Sequence, residues 1–170
     1  MAPASSGRHR RGRGADPRRG RVLHLANLEP KARSVYLIAN IALGNAIVIG
    51  GELRYFVPGL FDFCRDWIGF YRSHRKWLCG NLIILDPLTL AHRLPGEFLV
   101  FAFNSADDSR DVKICFSLEQ AELKAKAFDV SEEHAVIRTP SGRVLASRGE
   151  IVWNQTIPAN DFSVLRFRPA

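Results

Sequence analysis

Short apolar stretches separated by turn residues dominate the chain from residue 34 onward. Residues 97–103, which read Glu-Phe-Leu-Val-Phe-Ala-Phe, are apolar at both alternating sets of positions, and residues 77–85 show the same pattern. Continuous apolarity of this length is typical of a strand that is covered on both faces. The predicted strands are residues 34–43 and 46–49 (one strand broken near Gly44 and Asn45), 52–57, 77–85, 97–103, 112–116, 134–139, 142–147, 150–157 and 162–168.

Two segments have helical periodicity instead. Residues 59–73 repeat apolar side chains at three- and four-residue steps, which predicts an amphipathic helix. A basic turn at residues 74–76 follows it and suits the negative end of a helix dipole. A second, shorter helix is predicted over residues 117–127, because Ser117 followed by Gln120 forms a capping-box pattern.

Turn residues divide the remaining chain into short pieces. Residues 88–94 are predicted to form a loop, and Pro140-Ser141-Gly142 a turn. Many short strands at close spacing, with only one long and one short helix, favour an antiparallel sandwich. The predicted fold is therefore mainly β, an antiparallel eight-stranded jelly-roll sandwich over residues 34–170 with one or two short helices.

The positive charge of the chain is concentrated at its start. Residues 1–21 contain seven arginines against the single acid Asp16, whereas the chain as a whole has a net charge of +7. Such a block points to a polyanionic partner, although arginine-rich termini also serve in nuclear import or organelle targeting. Residues 1–22 are predicted to be a disordered RNA-binding arm and residues 23–33 a linker. The arginines are Arg8, Arg10, Arg11, Arg13, Arg18, Arg19 and Arg21.

Familiar catalytic patterns are missing from the sequence. The five histidines have no metal-ligand spacing, and there is neither a glycine-rich phosphate loop nor a GxSxG elbow. The odd number of cysteines, at positions 64, 79 and 115, favours small apolar core residues over a disulfide framework. We therefore expect no enzyme activity.

One acidic turn and one uncharged segment leave alternatives open. Asp107, Asp108 and Asp111 lie within five residues, so they form either a Ca²⁺ site shared with a neighbouring subunit or a solvated turn. Residues 35–51 carry no charge, but their asparagines, glycines and β-branched residues favour a strand over a membrane helix. No membrane partner is expected.

Taken in order, these features resemble the coat proteins of small icosahedral positive-strand RNA viruses, of the jelly-roll type found in sobemovirus-like and tombusvirus-like viruses. The resemblance is carried by Phe70-Tyr71-Arg72, Lys76-Trp77, the strand ending at Asp86-Pro87, Gly96 before residues 97–103, and the acids Asp107, Asp108 and Asp111.

This resemblance implies a structural capsid protein that assembles from many copies of itself. It places the arginine-rich arm on packaged RNA inside the shell and the acidic loop at a subunit contact where Ca²⁺ is bound in some members. The implied localisation is the virion and the host cytoplasm. The alternative function is a cellular or organellar nucleic-acid-binding protein of the ribosomal type.

Overall fold

A computed structural model describes residues 30–45 and 58–170 of the chain. These residues form three helices and eight strands. The helices are α1 (Pro30–Ala42), α2 (Pro58–Leu78) and α3 (Leu118–Ala121), and the strands are β1 (Leu82–Asp86), β2 (Thr89–Leu94), β3 (Glu97–Asn104), β4 (Arg110–Ser117), β5 (Ala127–Glu133), β6 (Arg138–Leu145), β7 (Glu150–Ile157) and β8 (Asp161–Pro169).

The strands form two antiparallel sheets. Six of them pair in the order β1-β2-β3-β8-β5-β6, and β4 pairs with β7 in a separate two-stranded sheet. Helices α1 and α2 pack on the face of the large sheet that is opposite the small sheet. The prediction of a mainly β, antiparallel protein with eight strands and a few short helices is confirmed.

The large sheet separates two apolar cores, and strand β3 contributes to both. Leu99 and Phe101 contact the helices, whereas Phe98 and Val100 face the two-stranded sheet, and all four side chains are fully buried. This explains the uninterrupted apolarity of residues 97–103, because each alternating set of side chains has its own core to fill.

Helix α2 confirms the predicted helix and extends it. Leu60, Cys64, Trp67 and Tyr71 follow the helical repeat and are buried against the large sheet and α1. The helix ends at Leu78 rather than at residue 73, with the basic turn in its last part. The predicted strand over residues 77–85 is therefore wrong in its first half, and only its second half forms β1.

The prediction of a strand over residues 34–43 is wrong, because this segment belongs to helix α1. Leu37, Ile38 and Ile41 are buried, and the steps of three and four residues from Ile38 and Leu37 to Ile41 place them on one face of a helix. β-branched and apolar residues suggested a strand, but packing against α2 outweighs their weak intrinsic preference. Predicted strands 46–49 and 52–57 lie outside the described residues.

Two further segments differ from the expectation. Residues 88–94, predicted as a loop, form strand β2, whose Ala91 and His92 are fully buried between neighbours in the sheet. Residues 134–139, predicted as a strand, are mainly the turn between β5 and β6, while Pro140-Ser141-Gly142 lies within β6. Pro140 is tolerated there because β6 is an edge strand.

The jelly-roll arrangement is not confirmed. The described strands divide into six and two, and β3 pairs directly with the last strand, β8. The shorter elements agree better with the sequence, since β7 spans residues 150–157 as predicted, and α3 has the predicted capping box between Ser117 and Gln120. The α3 helix nevertheless ends at Ala121, well before the predicted residue 127.

Candidate functional site

A large surface groove lies between α1 and the end of the large sheet that carries β1, β2 and β3. Its volume is about 990 Å³, which is in the range of ligand and partner sites in proteins. We call it the apolar groove; it is lined by Ala32, Val35, Tyr36, Ala39, Leu43, Ile84, Pro87, Leu88, Leu90, Phe103, Asn104, Ser105 and Asn160.

Helix α1 presents apolar side chains on two opposite faces. Leu37 and Ile41 are buried in the core against α2 and the large sheet. Val35, Ala39 and Leu43 line the apolar groove. A helix on the surface of a globular protein normally has one apolar stripe, and a helix that is apolar on all sides is normally covered on all sides. The groove face of α1 therefore has the character of an interior surface.

The far rim of the groove is the turn between β1 and β2. The Asp86 carboxylate accepts a hydrogen bond of 2.8 Å from the backbone N–H of Leu88, and the Leu88 carbonyl accepts one of 2.9 Å from the backbone N–H of Phe103. These bonds fix the turn against β3. The side chains of Ile84 and Leu88 at this rim are 66% and 42% exposed.

The buried side-chain amide of Asn104 lies at the polar end of the groove, and all of its hydrogen-bonding groups are occupied by the protein. The Asn104 side chain donates to the carbonyls of Asp108, Ile157 and Pro158, at 2.8, 3.0 and 2.9 Å, and accepts from the backbone N–H of Ala106 at 3.0 Å. Asn104 thus fastens the loop after β3 to the end of β7. It is occupied by the protein itself rather than directed at a ligand.

The C-terminal end of α1 is fastened to the rest of the fold at several points. The backbone N–H groups of Gly44 and Asn45 donate to the carbonyls of Ile41 and Asn40, both at 3.0 Å, which is the Schellman pattern of helix termination. Gly44 has a φ of +65°, and a Cβ there would lie 2.3 Å from the carbonyl oxygen of Leu78. Gly44 and Asn45 do not break a strand, as the sequence predicts; they form the C-terminal cap of helix α1.

Two side chains complete this junction. His92 is fully buried, and its Nε2 donates to the carbonyl of Ala42 at 2.6 Å, whereas its Nδ1 has no partner among the described residues. Burial lowers the pKa of His92, and the hydrogen bond to Ala42 offsets this only in part.

The Cys79 thiol donates to the carbonyl of Gly44 at 3.3 Å. A 3.5 Å contact with Cys79, together with burial, raises the pKa of Tyr71.

A buried ion cluster connects helix α2 to the large sheet, on the sheet face that carries the helices. Arg166 donates through Nε and Nη2 to one carboxylate oxygen of Glu133, at 3.1 and 2.7 Å, and through Nη1 to Glu97. Arg138 donates to the same oxygen of Glu133 at 3.1 Å, and His74 Nε2 lies 3.5 Å from Arg166. The charged members of the cluster bind one another, so it has the character of a structural element.

The acidic residues singled out in the sequence are separated by the fold. Asp107 accepts from the Asn160 amide at 3.0 Å, Asp108 pairs with Arg110 at 3.0 Å, and Asp111 accepts from the Thr156 hydroxyl at 2.6 Å. In residues 30–45 and 58–170, no group of three or more His, Cys, Asp or Glu side chains is placed to hold a metal ion. The three separate partners explain how the local negative charge is tolerated.

The other residues considered in the sequence are widely spread. The seven arginines of the arm lie outside the described residues. Cys64 is buried as expected, but Cys79 and Cys115 are exposed, and no disulfide is formed among these three. Among the described helices, none has both the length and the hydropathy that crossing a membrane requires.

Comparison with known proteins gives a structural likeness but no sequence relative. No protein-family model matches the chain, and no curated protein is similar to it in sequence. The fold is similar to a GH27 β-L-arabinopyranosidase from Geobacillus stearothermophilus, with a TM-score of 0.60 and 12% identity over 85% of this chain and 31% of that one.

Two α-galactosidases have the same likeness. α-Galactosidase I from Mortierella vinacea has a TM-score of 0.58 and 10% identity over 88% of this chain and 38% of its own. The α-galactosidase from Saccharomyces cerevisiae, in complex with raffinose, has a TM-score of 0.57 and 12% identity over 87% of this chain and 45% of its own. The chain therefore spans less than half the length of these proteins.

The resemblance to viral coat proteins is wrong, and with it the capsid function, the ribosomal-type alternative and the virion localisation. The similar structures are glycosidases of bacterial and fungal origin. The physical reason is that doubly apolar strands, an aromatic helix stripe and an acidic turn are what any layered β-sheet protein needs to cover its sheet and solvate its loops. These features therefore occur in unrelated sandwiches.

Sequence reasoning also missed the apolar groove itself. Its lining comes from α1, from the β1–β2 turn and from β3, which lie far apart in the chain. The available signal was the lack of charge across residues 35–45, which exceeds what a helix with one buried face requires.

Proposed function

We propose that this chain provides the C-terminal β-domain of a glycosidase-type protein, a module that carries no catalytic group and packs against a catalytic domain. The observation that carries this proposal is the likeness of fold, which extends over 85% to 88% of this chain but over only 31% to 45% of the glycosidases compared. The matching part of those proteins is a small C-terminal β-domain.

The chemistry of the described surface agrees with an accessory role. Glycoside hydrolysis generally requires two carboxyl groups on either side of the scissile bond, about 5 to 9.5 Å apart. No Asp or Glu is among the residues that line the apolar groove. Asp107, Asp108 and Asp111 lie on a surface loop and its adjoining strand, each bound to a different protein group. We therefore assign the groove to packing and the bond-breaking chemistry to another domain.

The names of the similar proteins indicate the substrate class of that other domain. Two are α-galactosidases and one is a β-L-arabinopyranosidase. We propose galactoside-type sugars as substrates of the complete protein in which this β-domain works. The domain itself would contribute stability and solubility to the catalytic part.

A domain exchange tests the proposal. The part of the S. cerevisiae α-galactosidase that matches this fold is replaced by the whole 170-residue chain, and release of nitrophenol from p-nitrophenyl α-galactoside is measured. We expect the chimera to be soluble and active, the same enzyme truncated without replacement to be insoluble or inactive, and the isolated chain to show no hydrolysis.

Two results would contradict this function. The first is hydrolysis of the galactoside by the isolated chain, which would make it an enzyme in its own right. The second is a chimera that is no more soluble or active than the truncated enzyme, which would mean that the chain does not act as a β-domain for a glycosidase.

A further inference from the structure

One three-residue motif in strand β7 matches the acceptor for N-linked glycosylation. Asn154-Gln155-Thr156 has the form Asn-x-Ser/Thr with a residue other than proline in the middle, and no other asparagine in the sequence begins such a motif. The modification attaches a bulky, polar oligosaccharide, so the asparagine has to lie at the surface of the folded protein. Because so short a motif also arises by chance, its position in the fold is the first test of its meaning.

Strand β7 presents the motif on the outer face of the two-stranded sheet. Side chains alternate along a strand, and Ile151 and Ile157 are fully buried on the inner face. The alternate residues Val152, Asn154 and Thr156 are exposed. The acceptor asparagine and the hydroxyl-bearing threonine therefore lie on the same solvent-facing side, so a strand here meets the requirement that a surface loop normally meets.

The neighbours of Asn154 on this face are exposed as well. Its direct partner across the sheet is Lys113, on β4. Val152 lies about 7 Å away along the strand and is 45% exposed. The exposed Cys115 is the direct partner of Val152, which makes it a diagonal neighbour of Asn154 at about 7 to 8 Å. The first sugars of an oligosaccharide at Asn154 would cover both side chains.

This face lies on the opposite side of the domain from the apolar groove. The groove runs along α1, and both long helices pack on the face of the large sheet that points away from the small sheet. A sugar chain at Asn154 would therefore extend into solvent without covering the groove. It would also prevent close protein contact over the outer face of the two-stranded sheet.

We propose that Asn154 is an N-glycosylation site and that its oligosaccharide shields the outer face of the two-stranded sheet. In the reaction, Nδ2 of Asn154 attacks the anomeric carbon of an oligosaccharide carried on a lipid diphosphate. An N–C bond forms, the bond from that carbon to the diphosphate oxygen breaks, and one Nδ2 proton is lost as the lipid diphosphate leaves. The transfer precedes the pairing of β7 with β4, which engages the Thr156 hydroxyl with Asp111. This proposal is independent of the proposed function.

Secretion of the whole 170-residue chain from yeast, behind a cleavable leader, tests the modification. We expect peptide N-glycosidase F to lower the mass of the secreted protein and to convert Asn154 to Asp, as mapped by mass spectrometry. Asn154→Gln and Thr156→Ala should abolish the glycan. Thr156→Ser, which keeps the hydroxyl, should retain it, and Asn81→Gln, outside the motif, should behave like the parent. The same peptide is then mapped in protein purified from its natural source.

The labelling of thiols with a maleimide measures the shielding. Labelling of Cys115 should be at least about twofold slower in the glycosylated parent than in Asn154→Gln, because thiol reactivity depends on access. Cys79 is exposed too, but it follows α2 on the other side of the large sheet. It therefore serves as the internal reference, and its rate should be the same in both proteins.

Three results would overturn the proposal. The first is an unmodified Asn154 in the secreted chain, or a glycan that survives Thr156→Ala. The second is a glycan that is added in yeast but absent from the protein of the natural source, because the motif would then be a chance one. The third, equal labelling of Cys115 with and without the glycan, overturns the shielding role. Should Asn154→Gln fail to fold, Thr156→Ser and Thr156→Ala provide the same comparison.

Discussion

The imidazole of His92 in strand β2 donates a 2.6 Å hydrogen bond to the carbonyl oxygen of Ala42, the last residue of helix α1. The carbonyls at the end of a helix lack partners within the helix, and this one receives its donor from a residue fifty positions further along the chain. Since the opposite face of α1 lines the apolar groove, His92 helps to position one wall of that groove.

Replacing His92 should change how stability depends on pH. Burial lowers the pKa of His92 in the folded protein below its ordinary value of 6.5. As the pH falls through about 6.5, the unfolded chain takes up a proton that the folded chain does not, so stability falls with decreasing pH by at most about 1.4 kcal/mol per unit from this group. His92→Gln, which keeps an N–H donor, should remove this contribution.

Urea denaturation at about pH 7.5 and about pH 5.5 measures the effect. These values lie on either side of the ordinary histidine pKa of about 6.5. The difference in the free energy of unfolding between the two pH values should be smaller for His92→Gln than for the parent protein. Parallel pH dependence of the parent and His92→Gln would disprove the assigned role of burial.

Gly44→Ala should destabilise the protein more than Gly96→Ala. Both glycines have positive φ, +65° and +71°, so both substitutions carry the cost of a left-handed conformation, about 1 to 2 kcal/mol. Only at Gly44 would the new Cβ also meet a backbone atom, the carbonyl oxygen of Leu78 at 2.3 Å, whereas Gly96 faces open space. The free energies of unfolding of the two variants measure the difference. Equal losses of stability would show that the backbone around Leu78 moves to accommodate the new methyl group without cost.

Arg166→Met should cost about 3 to 5 kcal/mol, because it leaves the carboxylate of Glu133 buried without its main partner. The side chains of Arg166 and Glu133 are 3% and 2% exposed. The matched control is Arg143→Met, which breaks the exposed pair with Asp129 and should cost at most about 1 kcal/mol. Denaturant titration of both variants provides the measurement.

A double variant tests the origin of that cost. Arg166→Met combined with Glu133→Gln should lose less stability than the sum of the two single variants, because the uncompensated charge is then absent. Simple additivity would mean that packing of the arginine stem, rather than its charge, determines the loss.

Trp67→Ala should be strongly destabilising, by about 3 to 5 kcal/mol, because it leaves a large cavity between α2 and the sheet. The Trp67 ring is 3% exposed and contacts the rings of Phe70 and Phe162 at centroid distances of 5.2 and 6.3 Å. Phe61→Ala, on the same helix but 39% exposed, should cost clearly less. Similar unfolding midpoints for the two variants would contradict the assigned packing of α2.

The strength of local signals explains which elements were predictable. The α2 stripe is periodic over many residues and is compatible with a helix only. The apolar run of β3 is of strand length and begins directly after Pro95-Gly96, and these two features decide between strand and helix there. The segment that forms α1 has no polar face, so its pattern does not distinguish helix from strand, and its β-branched residues favoured the wrong choice. The apolar groove could not be predicted either, because one of its walls is formed by α1.

By itself, the sequence determined that the chain from residue 58 onward is a layered, antiparallel, mainly β protein with one long amphipathic helix, since periodicity and turn residues act over a few neighbouring positions. Only the tertiary structure decided the six-and-two division of the strands, the helical state of α1 and the location of the apolar groove. These depend on contacts between distant segments, such as His92 with Ala42 and β3 with β8. The energy of such contacts is set by which surfaces meet, and no local pattern of residues records that.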